Sequence, residues 1–316
     1  MRTTILLMSV NEAPMLERSL PAALAQGPSA ELVVVDNACT DATTELARRH
    51  GARALRLGQR RSYAAAINEA LARTGGEAVL LLNADCFLQP GFLAAALPRL
   101  SDPDIGSVAP KLLRVSAAGE RLGQIDAAGM FVDRRRKNGL VGHARPGERF
   151  ARSGEVFGAD GAAALYRRQT LEDCALWGRE VLDEDMALWA SDADLAWRAQ
   201  LLGWRCVYEP RAVAHHVRTY SPSTRARMSE PARRLQFRNR ALMIVKNETA
   251  AGLRRDGALI AGYELLALGH VLLRERHLLG AYREAGGLLA GARRRRKLVQ
   301  ARRRVSLPPF GLTPPE

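Results

Sequence analysis

The chain has little cysteine and uses none of it in a recognisable pattern. Its four cysteines stand at positions 39, 86, 174 and 206, with no C-x-x-C pair and no spacing typical of metal ligands. Disulfide frameworks and zinc modules need such patterns. We therefore expect free thiols in a reducing compartment and no redox chemistry.

Glycine-rich phosphate loops are also missing. The first strand-like run leads into Ser9-Val10-Asn11-Glu12-Ala13-Pro14, which has no glycine to bring backbone amides against a pyrophosphate, and no Walker A sequence occurs. A dehydrogenase-type dinucleotide site and a P-loop are both excluded. A phosphate-bearing ligand would have to be held by a metal ion and by side chains.

Aromatic residues make up only 5% of the chain and give few stacking platforms, so no nucleic-acid partner is expected. The apolar run Ala258–Leu273 is shorter than the ~20 residues that span a bilayer, and Glu264 and His270 interrupt it, so it is not expected to be a transmembrane helix. The N-terminal run Ile5–Val10 is too short for the apolar part of a signal peptide. The expected location is cytoplasmic.

Positive charge, in contrast, is abundant. The formal net charge is +14, and Gly252–Glu316 holds thirteen lysine and arginine residues against five acidic ones. Within it, Ala281–Leu298 combines leucines with the cluster Arg293–Lys297, a pattern typical of a helix lying on an anionic leaflet. A solvated helix face beside a packed hairpin is the alternative. The pattern predicts a peripheral position on the inner face of the plasma membrane.

Strand-like and helix-like runs alternate along the first part of the chain. The strand-like runs are Thr3–Val10, Leu32–Asp36, Ala54–Leu57, Ala78–Asn83 and Ser107–Leu112. The helix-like runs are Met15–Ala25, Thr43–Arg49, Tyr63–Arg73 and Phe92–Leu100. This alternation predicts an α/β fold with a mainly parallel sheet. Arg114–Pro146, rich in glycine and arginine, is expected to form connecting loops, and Ala162–Tyr166 and Asp194–Leu202 are expected to be a strand and a helix.

One buried strand is expected to deliver a carboxylate to its carboxyl end. The apolar run Leu80–Leu82 stops at Asn83-Ala84-Asp85, shortly before the break Pro90-Gly91. Ligands of open α/β sheets bind outside the carboxyl ends of the strands. Asp85 could therefore hold a divalent cation over a phosphate, with a simple turn aspartate as the alternative.

Other candidate residues also stand at the ends of predicted elements. Asp36 could accept hydrogen bonds from a base or ribose, or could cap the following helix. Ser191 and Asp194 fit a capping box, which leaves Asp192 for chemistry. Gly161 suits a close approach of backbone to a ligand, with a simple bulge as the alternative.

Six segments in order carry a resemblance that covers roughly residues 3 to 247. They are VVVDNACTDATTELA, GQRRSYAAAINEAL, VLLLNADC, GADGAAALYRR, LDEDMALWASDADLAWRAQLLGWRCVYEPRAVAHH and FRNRALMIVKN. On these segments the chain resembles glycosyltransferase family 2 enzymes of the GT-A fold, particularly the rhamnosyltransferase-like branch. The resemblance implies a Rossmann-like, mainly parallel sheet flanked by helices, here followed by a basic amphipathic helical extension.

The resemblance also implies a donor site. Asn83-Ala84-Asp85 matches an Asp-x-Asp-like element in which Asp85 binds Mn²⁺ or Mg²⁺ on the diphosphate of a nucleotide sugar. Asp36 matches the nucleoside-binding aspartate, and Ser9 and Asn11 match positions that contact the base. The remaining donor-binding residues that it implies are Asn68, Asn83 and Gly161.

The chemical step is implied in the same way. Asp192 matches the aspartate that takes a proton from the acceptor hydroxyl during in-line attack, so the anomeric configuration would invert. His216, with the less well aligned His215, matches a histidine that can complete the metal site, although packing is an alternative for both. The family usually has Glu where Ser191 stands and often Ser where Asp160 stands.

The expected protein is an inverting glycosyltransferase of cell-envelope polysaccharide biosynthesis. It would move a sugar from a dTDP- or UDP-linked donor to a glycan or lipid-linked acceptor. The alternative is a non-catalytic, polyanion-binding or nucleic-acid-binding protein on a degenerate transferase scaffold. The expected organisation is a transferase domain at 1–225, a basic, membrane-associating helical region at 226–305 and a flexible proline-rich tail at 306–316.

Overall fold

The computed structural model describes residues 1–27, 29–220 and 222–316. Strands and helices alternate in its first part, as the sequence predicts. The strands are β1 Thr3–Ser9, β2 Ala30–Asp36, β3 Arg53–Arg56, β4 Ala78–Asn83, β5 Cys86–Leu88 and β6 Ile105–Val115. The helices are α1 Ala13–Leu24, α2 Thr43–Arg49, α3 Tyr63–Ala72 and α4 Phe92–Ala96.

The second part adds further strands and three long helices. The strands are β7 Arg121–Ala127, β8 Met130–Val132, β9 Asn138–Leu140, β10 Gly154–Val156, β11 Ala163–Arg167 and β12 Arg205–His216. The helices are α5 Arg168–Asp173, α6 Ser191–Leu201, α7 Glu230–Asn247, α8 Ala250–Leu273 and α9 Leu279–Arg302.

The segment Arg114–Pro146 is not a set of connecting loops, because it contains β7, β8 and β9. Its arginines misled the sequence interpretation. Arg136 is fully buried and forms ion pairs with Glu248 and Asp256. These partners lie 112 and 120 residues away, so no local pattern could reveal them.

The central sheet has the order β10-β12-β6-β11-β4-β1-β2-β3. Strands β1, β2, β3 and β4 run parallel, whereas β11 is antiparallel to both of its neighbours. In this register Ser9 lies beside Asp36, and Met8 lies beside Asn83. The ends of three predicted strands therefore meet at one edge of the sheet.

Helices cover both faces of the sheet, which explains why the central strands are apolar at every position. Successive side chains of a strand point to opposite faces. Leu6 and Met8 accordingly join one core cluster, whereas Ile5 and Leu7 join the other.

The C-terminal helices pack against the sheet domain through a third core. Leu242 and Met243 of α7 and Val299 of α9 lie in one cluster with Phe157 and Trp197. The arginine cluster of α9 is partly used inside the protein, because Arg295 is buried against Glu180, Asp183 and Asp185. Arg296 donates to backbone carbonyls at the end of α7. The amphipathic pattern of α9 thus reflects packing to a large extent.

The last segment, 306–316, also makes defined contacts, although its composition predicts a flexible tail. Phe310 stacks on Phe157 with ring centroids 5.7 Å apart and meets Trp197 edge-on at 5.2 Å. The backbone N–H of Gly311 donates to the carbonyl of Val132. An aromatic anchor thus holds this proline-rich segment against the fold.

Candidate active site

A cavity of about 520 Å³ opens at the edge where β1 and β4 end. Tyr63, Leu188 and Trp189 contribute its less polar walls. The charged and amide side chains that line it are Glu12, Asn83, Asp85, Asp160, Asp192, His216 and Arg218. The position agrees with the general rule for ligand sites in open α/β sheets.

His216 lies between two carboxylates. Its Nδ1 is 2.8 Å from Oδ2 of Asp126, and its Nε2 is 3.4 Å from Oδ1 of Asp85. Burial alone would lower the pKa of His216, but the hydrogen bonds and charges of Asp126 and Asp85 raise it to about 9. The two carboxylates therefore favour the protonated imidazole over the neutral one.

Arg218 extends this arrangement to a third acid. Its Nε donates to Oδ1 of Asp126 at 2.6 Å, and its Nη2 donates to Oδ2 of Asp160 at 3.0 Å. Burial would raise the pKa of Asp126, but His216 and Arg218 hold it well below its usual range. Asp85, His216, Asp126, Arg218 and Asp160 form one continuous chain of charges, which we call the open network because it borders the cavity.

The open network fits a divalent cation. Ligand atoms of Asp126, Asp160 and His216 all lie within 4.8 Å of one another, and Asp85 approaches the same imidazole. Carboxylate oxygens suit Mg²⁺ and Mn²⁺, and an imidazole nitrogen is a common additional ligand of Mn²⁺. These side chains therefore suit the metal expected from the sequence, and Asp126 and Asp160 lie beside Asp85 and His216 as further acids.

Asp192 stands at the start of α6 and is half-buried. Its Oδ2 accepts a hydrogen bond of 3.2 Å from the backbone N–H of Gly161, and its Oδ1 accepts one from Ala193. Burial and the nearby charge of Asp160 raise the pKa of Asp192. A carboxylate of raised pKa thus borders the cavity, and the backbone N–H of Gly161, just before β11, holds it in place.

The capping box expected at Ser191 and Asp194 is not formed. The hydroxyl of Ser191 donates to the carbonyl of Leu188, and Asp194 is fully buried against Lys246 and Arg198. The local spacing fits a capping box, but the buried cations compete more strongly for this carboxylate because an unpaired buried charge is costly.

The residues expected around the nucleoside lie beside the cavity, with their polar groups already bonded within the protein. Ser9 Oγ is 3.1 Å from Thr43 Oγ1, and Asn11 Oδ1 accepts from the backbone N–H of Thr40. Asp36 is fully buried and accepts hydrogen bonds from the Cys39 N–H and the Thr44 hydroxyl. Asp36 therefore serves the turn, and its contact with a base or ribose stays a prediction.

Asn68 also has a structural position. Its amide bonds the backbone of Val181 and Leu182 and the side chain of Glu184. It thereby anchors the loop that leads to Asp192 and does not line the cavity.

His215 lies on the opposite side of the sheet from His216. It borders a separate cavity that is also lined by Arg114 and Arg121. Successive residues of a strand alternate between faces, so the two histidines of β12 cannot share one metal ion. The expectation of a metal ligand at His215 is therefore corrected.

Two residues of the open network, Asp126 and Arg218, were missed. Asp126 lies in β7, within the segment expected to be loops, so its position at a sheet edge was not recognised. The sequence could have indicated Arg218, because in an extended chain a residue two places after His216 points to the same side as His216.

The chain is similar in sequence to known glycosyltransferases. The profile of glycosyl transferase family 2 matches residues 4–174, which is slightly more than half of the chain. The poly-beta-1,6-N-acetyl-D-glucosamine synthase of Staphylococcus epidermidis is 22% identical over 220 residues. These residues cover 66% of this chain and 48% of that protein, so the chain spans about half the length of this relative.

Solved structures show the same fold. S. aureus TarS in complex with UDP-GlcNAc is similar with a TM-score of 0.60 and 18% identity, over 96% of this chain and 84% of that one. The mannosyltransferase PcManGT from Pyrobaculum calidifontis, in complex with GDP-Man and Mn²⁺, has a TM-score of 0.53 and 21% identity, over 95% and 84%. These similarities establish a GT-A architecture for the chain.

Proposed function

The chain belongs to glycosyl transferase family 2, and from that membership we propose that it is an inverting transferase that moves a sugar from a nucleotide-diphosphate donor to a glycan or lipid-linked acceptor. One observation carries this proposal. A single cavity is bordered by a carboxylate of raised pKa, Asp192, and by the open network of acids around His216. A base for an acceptor and a holder for a diphosphate are the two parts that such a reaction needs.

Asp192 is proposed as the base. The acceptor hydroxyl oxygen attacks the anomeric carbon, and its proton passes to the Asp192 carboxylate. The bond from the anomeric carbon to the diphosphate oxygen breaks, and its electron pair leaves with the nucleoside diphosphate. One displacement of this kind inverts the anomeric configuration. The Gly161 amide fixes the carboxylate for this role without removing its charge.

The open network is proposed to hold Mn²⁺ or Mg²⁺ through Asp85 and the Nε2 of His216, with Asp126 orienting the imidazole through its Nδ1 and Asp160 as a further acid beside them. A bound divalent cation would neutralise negative charge on the departing diphosphate. Arg218 balances Asp126 and Asp160 in the ion-free protein, and its remaining guanidinium donors can reach an anionic ligand in the cavity.

The proposal also includes the donor, the pathway and the location that the sequence predicts. The donor is proposed to be a dTDP- or UDP-sugar, with rhamnosyl transfer as one form of the reaction, in cell-envelope polysaccharide biosynthesis. A UDP-sugar donor is supported by the UDP-GlcNAc bound to TarS. We place the reaction in the cytoplasm at the inner face of the plasma membrane, where the basic C-terminal region can meet a lipid-linked acceptor.

Calorimetric titration of the full chain with UDP, dTDP and GDP, each with and without Mn²⁺, tests the proposal. We expect one nucleotide to bind, and its affinity to depend on the metal. Asp85→Asn should remove the metal-dependent part, whereas Glu120→Gln, a change of an exposed acid on the β6–β7 hairpin, should not.

Absence of binding by every nucleotide, from protein shown to be folded, would contradict the proposal. Steep salt-dependent binding of a polyanion in the same samples would then favour the degenerate scaffold.

A further inference from the structure

The C-terminal helix α8 exposes an unusual amount of apolar surface. The helix is 24 residues long, and by length and composition it could cross a membrane, yet only 17% of its apolar window is buried. The sequence argument against a transmembrane helix relied on the shorter run Ala258–Leu273, but the helix already begins at Ala250. Leu265, Leu266 and Leu273 are 69%, 75% and 79% exposed.

These leucines share one side of the helix. Leu259, Leu266 and Leu273 recur every seven residues and form one row, and Leu265, Leu268 and Leu272 form a second row further round the same outward half of the helix. The buried residues of α8, among them Ile260 and Val271, lie on the other side. We call these six leucines the leucine face; a seventh exposed leucine of α8, Leu253, lies outside it.

The rim of the leucine face is positive. Arg274 and Arg276 follow it directly in the chain and are exposed, and Arg276 donates to the carbonyl of Leu272. The nearest acids are already paired inside the protein: Glu264 with Arg240, and Glu275 with Arg225 and Arg233. An apolar strip with exposed cations at its border complements an anionic lipid surface.

Both ends of α8 are tied to the protein body, which favours lying on a bilayer over spanning it. Near the start, Asp256 is buried and paired with Arg134 and Arg136. Just after the end, Glu275 and Leu278 are buried. A spanning helix would have to break the Asp256 pairs and would carry Arg254 and Arg255 into the lipid.

From these observations we propose that the leucine face of α8 docks on an anionic phospholipid bilayer, with the helix parallel to its surface and the rim arginines among the headgroups. The inference rests on the proposed membrane location and gives it a definite surface. It moves the contact from the Arg293–Lys297 cluster of α9, where Arg295 and Arg296 are engaged inside the protein, to α8.

The test is sedimentation of the full chain with vesicles of phosphatidylcholine alone or mixed with phosphatidylglycerol. The wild type should bind the mixed vesicles and bind the neutral ones much less. The variant Leu265→Ser/Leu266→Ser/Leu273→Ser should lose at least about tenfold in partitioning, because each leucine side chain contributes apolar area to the interface.

The matched control is Leu24→Ser/Leu122→Ser, which alters exposed leucines elsewhere, and it should bind as the wild type does. A second variant, Arg293→Gln/Arg294→Gln, should lose less than the leucine variant. Equal binding of the leucine variant and wild type, equal binding to both vesicle types, or a larger loss from the α9 variant would overturn the proposal. So would a wild-type dimer that the leucine variant abolishes, because a second copy would then cover the face.

Nucleotide titration of the same samples separates this inference from the transferase proposal. The leucine variant should bind nucleotide and Mn²⁺ as the wild type does, which also shows that it is folded. Vesicle binding without nucleotide binding would contradict only the transferase, and nucleotide binding without vesicle binding would contradict only the docking surface.

Discussion

Two networks of buried charge lie on either side of α6, and they differ in what they can do. The open network, described above, borders the cavity and includes two acids and a histidine, Asp126, Asp160 and His216, whose ligand atoms lie within 4.8 Å of one another. The closed network lies between α6 and the C-terminal helices and consists of Asp183, Asp194, Arg198, Lys246 and Arg295. The acids of both networks face cations, but no member of the closed network lines the cavity. Similar residue types thus serve chemistry in one place and assembly in the other.

Asp192 and Asp194 show the difference within one turn of helix. Burial and Asp160 raise the pKa of Asp192. Burial would also raise the pKa of Asp194, but Lys246 and Arg198 lower it. An aspartate of raised pKa can accept a proton, whereas one of lowered pKa remains charged and contributes to stability. The comparison therefore separates a reactive carboxylate from a structural one.

The largest expected effect is on turnover. Asp192→Asn removes the proposed base, and we expect kcat to fall by roughly 10²- to 10⁴-fold, since that is the usual contribution of a positioned base. The melting temperature should stay the same or rise, because an unfavourable buried charge is lost. Wild-type turnover in Asp192→Asn, measured with the identified donor, would remove Asp192 from the mechanism.

The closed network should show the opposite behaviour. Lys246→Met leaves Asp183 and Asp194 with one fewer buried cation, and breaking such a pair costs about 3–5 kcal/mol of unfolding free energy. Urea denaturation measures this loss. Lys297→Met, an exposed lysine of α9, is the matched control.

The closed network should also make the unfolding free energy depend on pH. The pKa of Asp194 is lower in the folded protein than in the unfolded chain, where it is about 3.9. The charge of Asp194 therefore stabilises the fold above that pH, and this contribution to the unfolding free energy should disappear as pH falls through the lower, folded pKa. Asp183→Asn added to Lys246→Met should recover part of the lost stability. If Lys246→Met lost no more unfolding free energy than Lys297→Met, the closed network would not be stabilising.

A smaller effect is expected from Asp126→Asn. Asp126 orients His216 through a hydrogen bond of 2.8 Å, and residues that support a metal ligand in this way usually change affinity by about 10- to 100-fold. The metal-dependent part of nucleotide binding should weaken accordingly, measured by titration with and without Mn²⁺. Unchanged metal dependence would exclude Asp126 from the site.

The smallest expected effect is a shift of a pH profile. Asp160 raises the pKa of Asp192, so Asp160→Asn should lower that pKa, and an Arg218 freed from one partner acts in the same direction. Since the base must be deprotonated, the rise of kcat with pH should move to lower pH. Asp104→Asn, at an exposed position, should leave the profile in place. A shift to higher pH would contradict the proposed coupling.

The sequence predicts the central architecture well for a physical reason. Strands that are covered on both faces must be apolar throughout, so β1, β2 and β4 appear as continuous hydrophobic runs. Their ends are equally visible, because the runs stop at polar residues. Asn83 and Asp85 can therefore be assigned to the cavity edge of the sheet from these patterns alone. Asp192 also lines the cavity, but the capping box that left it for chemistry is not formed.

Several assignments needed the structure because their partners are distant in the chain. Asp126 meets His216 across 90 residues, and Lys246 meets Asp183 across 63. His215 and His216 look equivalent as neighbours, but the pleat of β12 sends them to different cavities. Asp194 fits a cap by spacing, yet a cation from α7 takes it.

Local sequence patterns are sufficient for the α/β class, the parallel strands and the acids at their ends, because burial and chain direction leave a periodic trace in the residues. Packing between segments that lie far apart in the chain decides the rest. It determines which acids share the cavity, which acids face buried cations and which leucines remain exposed. Local periodicity carries no information about such partners, and the free energy of pairing a buried charge selects among them.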